Sequence, residues 1–214
     1  MNRSDAETLW EVARVLARDA AKVSRAPTPP VALPPLLFFT DPVRTPRPWE
    51  TAARLPAGAA VVYRHFGRPE ARETALRLRE ITLERGVQLL IGLDADLAET
   101  VGADGVHLPE RALDRALPLS ERRPPWLITG AAHQGSALDI AGPHARVLSP
   151  VFGAGGASSA ASPLGVAAFS ALTASASCPV YALGGVDAKN ARSLVGSGAC
   201  GIAGVSAIQA AFSA

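Results

Sequence analysis

Apolar residues fall into two rhythms along the chain. Over residues 4–24 they recur at helical spacing, with Leu9, Val12, Ala13, Leu16, Ala20 and Val23 on one face. Ser4, followed three positions later by Glu7, forms a capping box at the start of that helix. The stretch "APTPPVALPP" then breaks regular structure, because proline fixes φ and has no amide donor. It predicts a stiff, extended connector. From Leu36 the rhythm changes. Eight apolar runs of strand length follow: Leu36–Thr40, Ala59–Arg64, Gln88–Leu93, Gly105–Leu108, Trp126–Ala132, Val147–Phe152, Val180–Val186 and Gly201–Ala207. None alternates polar with apolar, as strands buried on both faces do not. Helical patterns lie between them at Pro69–Arg85, Ser136–Ala141, Leu164–Ala176 and Asp187–Gly196, with abbreviated ones at Ala95–Val101 and Arg111–Arg115.

Buried strands alternating with helices predict an α/β protein, a single (β/α)8 TIM barrel over residues 36–214. Residues 1–35 form an N-terminal helix and proline-rich connector, the helix packing on the barrel exterior or on an oligomer partner and supplying no site residue. A doubly wound open sheet is the competing fold. It usually has fewer strands and a glycine-rich first turn, which "FFTDPVR" is not. In a barrel, chemistry belongs at the strand C-termini. Those positions are Thr40-Asp41, Arg64-His65, Leu93-Asp94, His107 to Glu110, Ala132-His133, Phe152 to Ser162, Gly184-Gly185 and Val205-Ser206.

Composition narrows the partners. The 214 residues, 48% hydrophobic, suit one full core. Net charge is +2, and the basic residues are almost all arginines, scattered with no run longer than Arg122-Arg123, with only 5% aromatics between them. A nucleic-acid groove needs a basic stripe with interleaved aromatics, so nucleic acid is not the expected partner. No apolar run reaches membrane-spanning length, and Asp5, Glu7, Glu11 and Asp19 interrupt any signal-like N-terminus. Cys178 and Cys200 have neither metal nor redox spacing, which suits buried, reduced thiols. A cytoplasmic protein with no membrane partner is expected. A homo-oligomer stays open.

The densest chemical signal is the pair "ALGGVDAKNA" and "GIAGVSAI". Strand seven ends in Gly184-Gly185, and strand eight ends at Gly204-Val205-Ser206 with a short helix opening there. Glycine lets backbone approach an anion closely, and a helix N-terminus offers unpaired N–H groups to it. Together Gly184, Gly185, Val205 and Ser206 predict a cup for a small-molecule phosphate ligand. A simple tight turn is the plainer reading. His133, in "TGAAHQG", closes strand five at the mouth, where an imidazole can move protons near neutral pH. A hydrogen-bonded structural histidine is the alternative. His107 lies within its strand and reads as structural. His65 is placed to line the mouth, and His144 lies in a turn without a case. The loop "GAGGASSAASPLG" after Phe152 offers serines to a phosphate and room to close over a ligand, or no role at all.

"GADGVHLPE", "SPVF", "PVYALGGV" and "GSGACGIAGVSAI", in this order and spacing, resemble the thiamine phosphate synthase/TenI family from about Leu36 to Ile208. The resemblance implies a (β/α)8 barrel acting in thiamine biosynthesis. Synthases in that family join an aminopyrimidine diphosphate to a thiazole phosphate with magnesium. TenI-like members tautomerise the thiazole phosphate carboxylate. It also implies that Gly184-Gly185 and Val205-Ser206 hold the thiazole phosphate, that Arg64 contacts an anion, and that His133 matches a histidine at the TenI-like thiazole pocket.

The departures from the synthase pattern matter as much. In "VYRHF", Arg64 is kept, while Val62 and Phe66 replace an amide and an amine. Leu93 stands where one metal-binding aspartate is expected and Ala112 where the other is. Ala154, Gly155, Gly156 and Ala157 replace Thr-x-Thr-Lys after "PVF". Magnesium needs hard oxygen ligands. Asp94 and Glu110 are the substitute ligands to be weighed, against plainer roles as a helix cap and a partner for a surface arginine. The expectation is TenI-like proton transfer at His133, with no cofactor. The alternatives are a thiamine phosphate synthase using Mg2+, and a catalytically silent phosphate-binding or regulatory module.

Overall fold

A computed structural model describes residues 4–23, 32–123, 125–153 and 162–213. Its eight parallel strands are β1 (Leu36–Phe39), β2 (Ala60–Tyr63), β3 (Gln88–Gly92), β4 (Gly105–Leu108), β5 (Leu127–Ala132), β6 (Ala145–Leu148), β7 (Val180–Ala182) and β8 (Ala199–Gly204). They pair in sequence order, and β8 closes on β1, giving a complete barrel. The strands are buried on both faces, as their unbroken apolar runs require. Alternate positions fill the interior, with Leu37, Phe39, Val62, Leu90, Leu127, Val147, Tyr181 and Ala203 in one cluster. The remaining positions, such as Phe38, Val61, Leu89, Ile128 and Ile202, join the shell of surrounding helices. Tyr181 donates its hydroxyl to the Pro34 carbonyl at 2.7 Å, fastening the segment before β1 to the barrel.

Helix α1 (Asp5–Val23) begins with a reciprocal capping box. Ser4 N donates to Glu7 Oε2 at 2.9 Å, and Glu7 N to Ser4 Oγ at 3.2 Å. Its face of Leu9, Val12, Ala13 and Leu16 is buried, chiefly against β8. That space is free because the segment after β7 forms only a single 3₁₀ turn, Ala191–Leu194, in place of the helix expected over Asp187–Gly196. A shell helix is thus supplied from the N-terminal side. The connector residues 24–31 lie outside the described residues.

The remaining helices are α2 (Pro48–Ala52), α3 (Ala71–Arg85), α4 (Ala95–Thr100), α5 (Ala116–Arg122), α6 (Gly165–Ser175) and α7 (Ser206–Phe212). The periodicity reading missed α2 and α5, which are one to two turns long. It also expected a helix over Ser136–Ala141, where a 3₁₀ turn spans Gly135–Leu138. Strand ends shifted where local chemistry stops the ladder. β6 ends at Leu148, short of Phe152, because Pro150 has no N–H to donate. β7 ends at Ala182, short of Val186, because Gly184 and Gly185 turn out of extended backbone with φ of 97° and 63°. β8 starts earlier and ends at Gly204, after which α7 opens. Gly105 is obligatory in β4, since a Cβ there would stand 1.9 Å from the Leu127 carbonyl oxygen.

Candidate active site

The mouth of the barrel is built from short turns that cap themselves. After β1, Asp41 Oδ1 accepts from the N–H groups of Val43 and Arg44, both at 3.0 Å, and Arg44 pairs with its Oδ2 at 3.3 Å. Burial raises the Asp41 pKa, but these bonds outweigh it and leave the carboxyl below its ordinary range. After β3, Asp94 is the N-cap of α4, with Oδ1 accepting from Leu97 N at 2.9 Å. Its Oδ2 lies 3.3 Å from Nε2 of His65, which links the β2 and β3 ends.

Arg64 points into the mouth from the end of β2. Its Nε donates to the Thr40 carbonyl at 2.8 Å, and its backbone N–H to Thr40 Oγ1 at 2.9 Å. Its Nη2 is buried with no hydrogen-bond partner among the described residues. Desolvation lowers its pKa to about 10, against a partial offset from Asp41. An unpaired, desolvated cation gains more from an anion than one in water does. Beneath it, His107 Nδ1 lies 2.9 Å from Thr129 Oγ1, and the ring stands edge-on to Phe39 with centroids 4.8 Å apart. Burial first, and the Arg64 charge second, push the His107 pKa down to about 3, so this imidazole is neutral.

His133 follows β5 with its side chain exposed. Glu110 Oε2 accepts from the His133 backbone N–H at 2.7 Å, in place of the surface arginine weighed for it. The ring Nδ1 lies 3.2 Å from the Ser149 carbonyl and 3.3 Å from Ser149 Oγ. A carbonyl only accepts, so that contact puts the proton on Nδ1 and leaves Nε2 as the basic nitrogen. The pairing of Ala132 with Leu148 and of Leu108 with Gly130 explains the grouping, because Glu110, His133 and Ser149 then follow directly at neighbouring strand ends. Sequence reasoning quoted Ser149 only within "SPVF". The sequence reading placed it inside the expected strand Val147–Phe152, and only the earlier end of β6 at Leu148 puts it just past the strand, as His133 is after β5.

Gly184 and Gly185 end β7 beside β8. β7 pairs with β8 up to Ala182 and Ile202, so the two strand ends lie side by side. Both glycines are sterically required. A Cβ on Gly184 would meet Pro150 Cα at 2.7 Å, and one on Gly185 would meet the Gly153 carbonyl oxygen at 2.3 Å. Asn190 Nδ2 holds the Gly185 carbonyl at 2.7 Å, turning the peptide plane. Val205 precedes Ser206, the first residue of α7, whose opening N–H groups have no intrahelical partner. Residues 154–161 of the small-residue loop lie outside the described residues.

The positions offered for magnesium do not suit it. Leu93 and Ala112 bring no oxygen, and Ala112 is buried at a kink in the 3₁₀ turn Glu110–Arg115. Both Asp94 oxygens and one Glu110 oxygen already hold protein donors. Among the described residues no group of three or more His, Cys, Asp or Glu is arranged to hold a metal ion. Mg2+ demands near-octahedral oxygen ligation, and these carboxylates are oriented for other work.

Comparison with known proteins bears on the whole barrel. The profile of the thiamine monophosphate synthase family matches residues 44–208. The thiamine-phosphate synthase of Methanoculleus marisnigri is 34% identical over 168 residues, covering 73% of this chain and 78% of that protein. The thiamine-phosphate synthase of Chloroflexus aurantiacus is 35% identical over 164 residues, covering 74% and 76%. Among solved structures, the thiamine phosphate pyrophosphorylase from Pyrococcus furiosus superposes with a TM-score of 0.67 at 24% identity, over 83% of this chain and 91% of that one, a likeness of fold.

Proposed function

The chain belongs to the thiamine monophosphate synthase/TenI family, and from that premise we propose that it binds a thiazole phosphate-type ligand and catalyses metal-free proton transfer on it, as a TenI-like tautomerase does. The observation that carries this reading is the setting of His133. Its Nδ1 is engaged by Ser149 and its backbone by Glu110, so Nε2, without a partner among the described residues, would take a proton from a ligand carbon and return it to another atom. The backbone at Gly184-Gly185 and the first turn of α7 would hold the phosphate, and the unpaired Nη2 of Arg64 supports an anionic substituent nearby.

A second reading, thiamine phosphate synthase, is favoured by the names of the two relatives at 34% and 35% identity. The two separate on assay. Under the first, thiazole phosphate carboxylate is tautomerised with or without a chelator, and His133→Asn lowers the rate by about 10²-fold or more. Chelator-sensitive coupling of aminopyrimidine diphosphate to thiazole phosphate, lost in Asp94→Ala or Glu110→Ala, overturns it in favour of the synthase. Phosphate-ligand binding with neither activity leaves a silent binding module.

A further inference from the structure

Two non-glycine residues among those described hold left-handed backbone, and both sit at the mouth: Phe66 with φ of 50° and Leu93 with φ of 67°. Such conformations are costly for residues bearing a Cβ and concentrate where a site over-determines them. One contact ties the two turns together. His65, between Arg64 and Phe66, accepts from Gly67 N at Nδ1 over 3.1 Å, and its Nε2 faces Asp94 Oδ2, next to Leu93. The turn therefore holds Phe66 outward, and the residue is 68% exposed. The Arg64 guanidinium carbon lies 5.4 Å from the Phe66 ring centroid and 5.3 Å from that of Phe39, so the cation sits within reach of both rings. Gly92 leaves room for this, since a Cβ there would stand 3.1 Å from Arg64 Cγ.

We propose that Phe66 is a specificity-determining residue, a stacking platform for the planar heteroaromatic ring of a monophosphate ligand. The inference rests on the phosphate-ligand reading above and names the residue that would meet the ligand's ring. An exposed aromatic face backed by a guanidinium favours a flat, polarisable ring. An amine at the same place favours a diphosphate instead. Because Arg64 is held by Thr40 independently of Phe66, removing the ring leaves the cation in position.

The test is calorimetric titration of wild type, Phe66→Ala and Phe66→Tyr with thiazole phosphate, pyridoxine phosphate and ring-free glycerol phosphate. Phe66→Ala weakens the ring-bearing ligands by about tenfold or more and leaves glycerol phosphate nearly unchanged, while Phe66→Tyr keeps the wild-type order. Equal weakening of all three, no weakening of the ring-bearing pair, or no binding of either ring by wild type overturns the platform. Phe66-dependent binding of pyridoxine phosphate without binding of thiazole phosphate upholds the platform and sinks the thiazole reading. Thiazole phosphate binding that ignores Phe66 does the reverse.

Discussion

Burial keeps the His107 imidazole neutral, with its pKa down at about 3, whereas an unfolded histidine titrates near 6.5. Between those values the unfolded chain binds a proton that the folded chain does not. Stability is therefore complete above about pH 6.5 and is lost as pH falls toward 3. At pH 5 the loss from this residue is about 2 kcal/mol. His144, also lowered by burial, adds to the same trend. His107→Asn removes the larger titration and should flatten the stability profile between pH 7 and 5, although it gives up stability at pH 7 by disturbing the Thr129 contact. Urea unfolding of both proteins at the two pH values reads this directly. A wild-type midpoint that does not move would contradict a buried neutral His107. Reading "GVHL" as structural needed only its place within a strand. The partners Thr129 and Phe39 come from β5 and β1, and nothing near His107 in the chain announces them.

Helix α1 was legible because two local signals agree, the capping box and a sustained apolar face. What it covers was not legible. It lies on β8 because the stretch after β7 folds into a single 3₁₀ turn and leaves that strand open. Leu16→Ala should accordingly cost about 2–5 kcal/mol of barrel stability, even though the helix precedes the barrel in the chain. Phosphate-ligand affinity should change far less, within about twofold, if α1 supplies no group to the proposed cup. Chemical unfolding together with ligand titration checks both halves. A Leu16→Ala protein of unchanged stability would mean that α1 is dispensable to the barrel. The one- and two-turn elements escaped the sequence for a different reason. A few residues cannot display a helical period, and Pro48 at the start of α2 reads equally well as a turn.

For the molecule as a whole, the closed barrel turns eight strand ends into one mouth, so groups far apart in sequence are brought to one place. If the site works without metal, ligand binding should stabilise the whole fold irrespective of magnesium. Thiazole phosphate at one hundred times its Kd should add about 2.7 kcal/mol, a rise in Tm of about 5–10 °C for a chain of this length. Adding EDTA should leave the rise intact. A rise that appears only with Mg2+ and a diphosphate would point to the synthase reading, with Asp94 and Glu110 released from their present partners. No helix among the described residues is long and apolar enough to cross a membrane.

Hydrophobic rhythm marked the number and order of the strands and favoured a barrel over an open sheet, because strands buried on both faces write unbroken apolar runs that need no partner to be recognised; closure of β8 on β1 is a tertiary fact. The resemblance to the synthase pattern implied metal-binding oxygens at the positions of Leu93 and Ala112, and the sequence shows that neither side chain carries one. Only the tertiary structure decided what the neighbouring groups do. Asp94 caps α4 and holds His65, Glu110 holds the His133 backbone, and Ser149 engages the His133 ring. Those pairings depend on the register between adjacent strands, which is set by closure of the barrel and by packing over its full circumference. A difference of one residue in register would reverse which side chains face the mouth, and no local stretch of sequence carries that information.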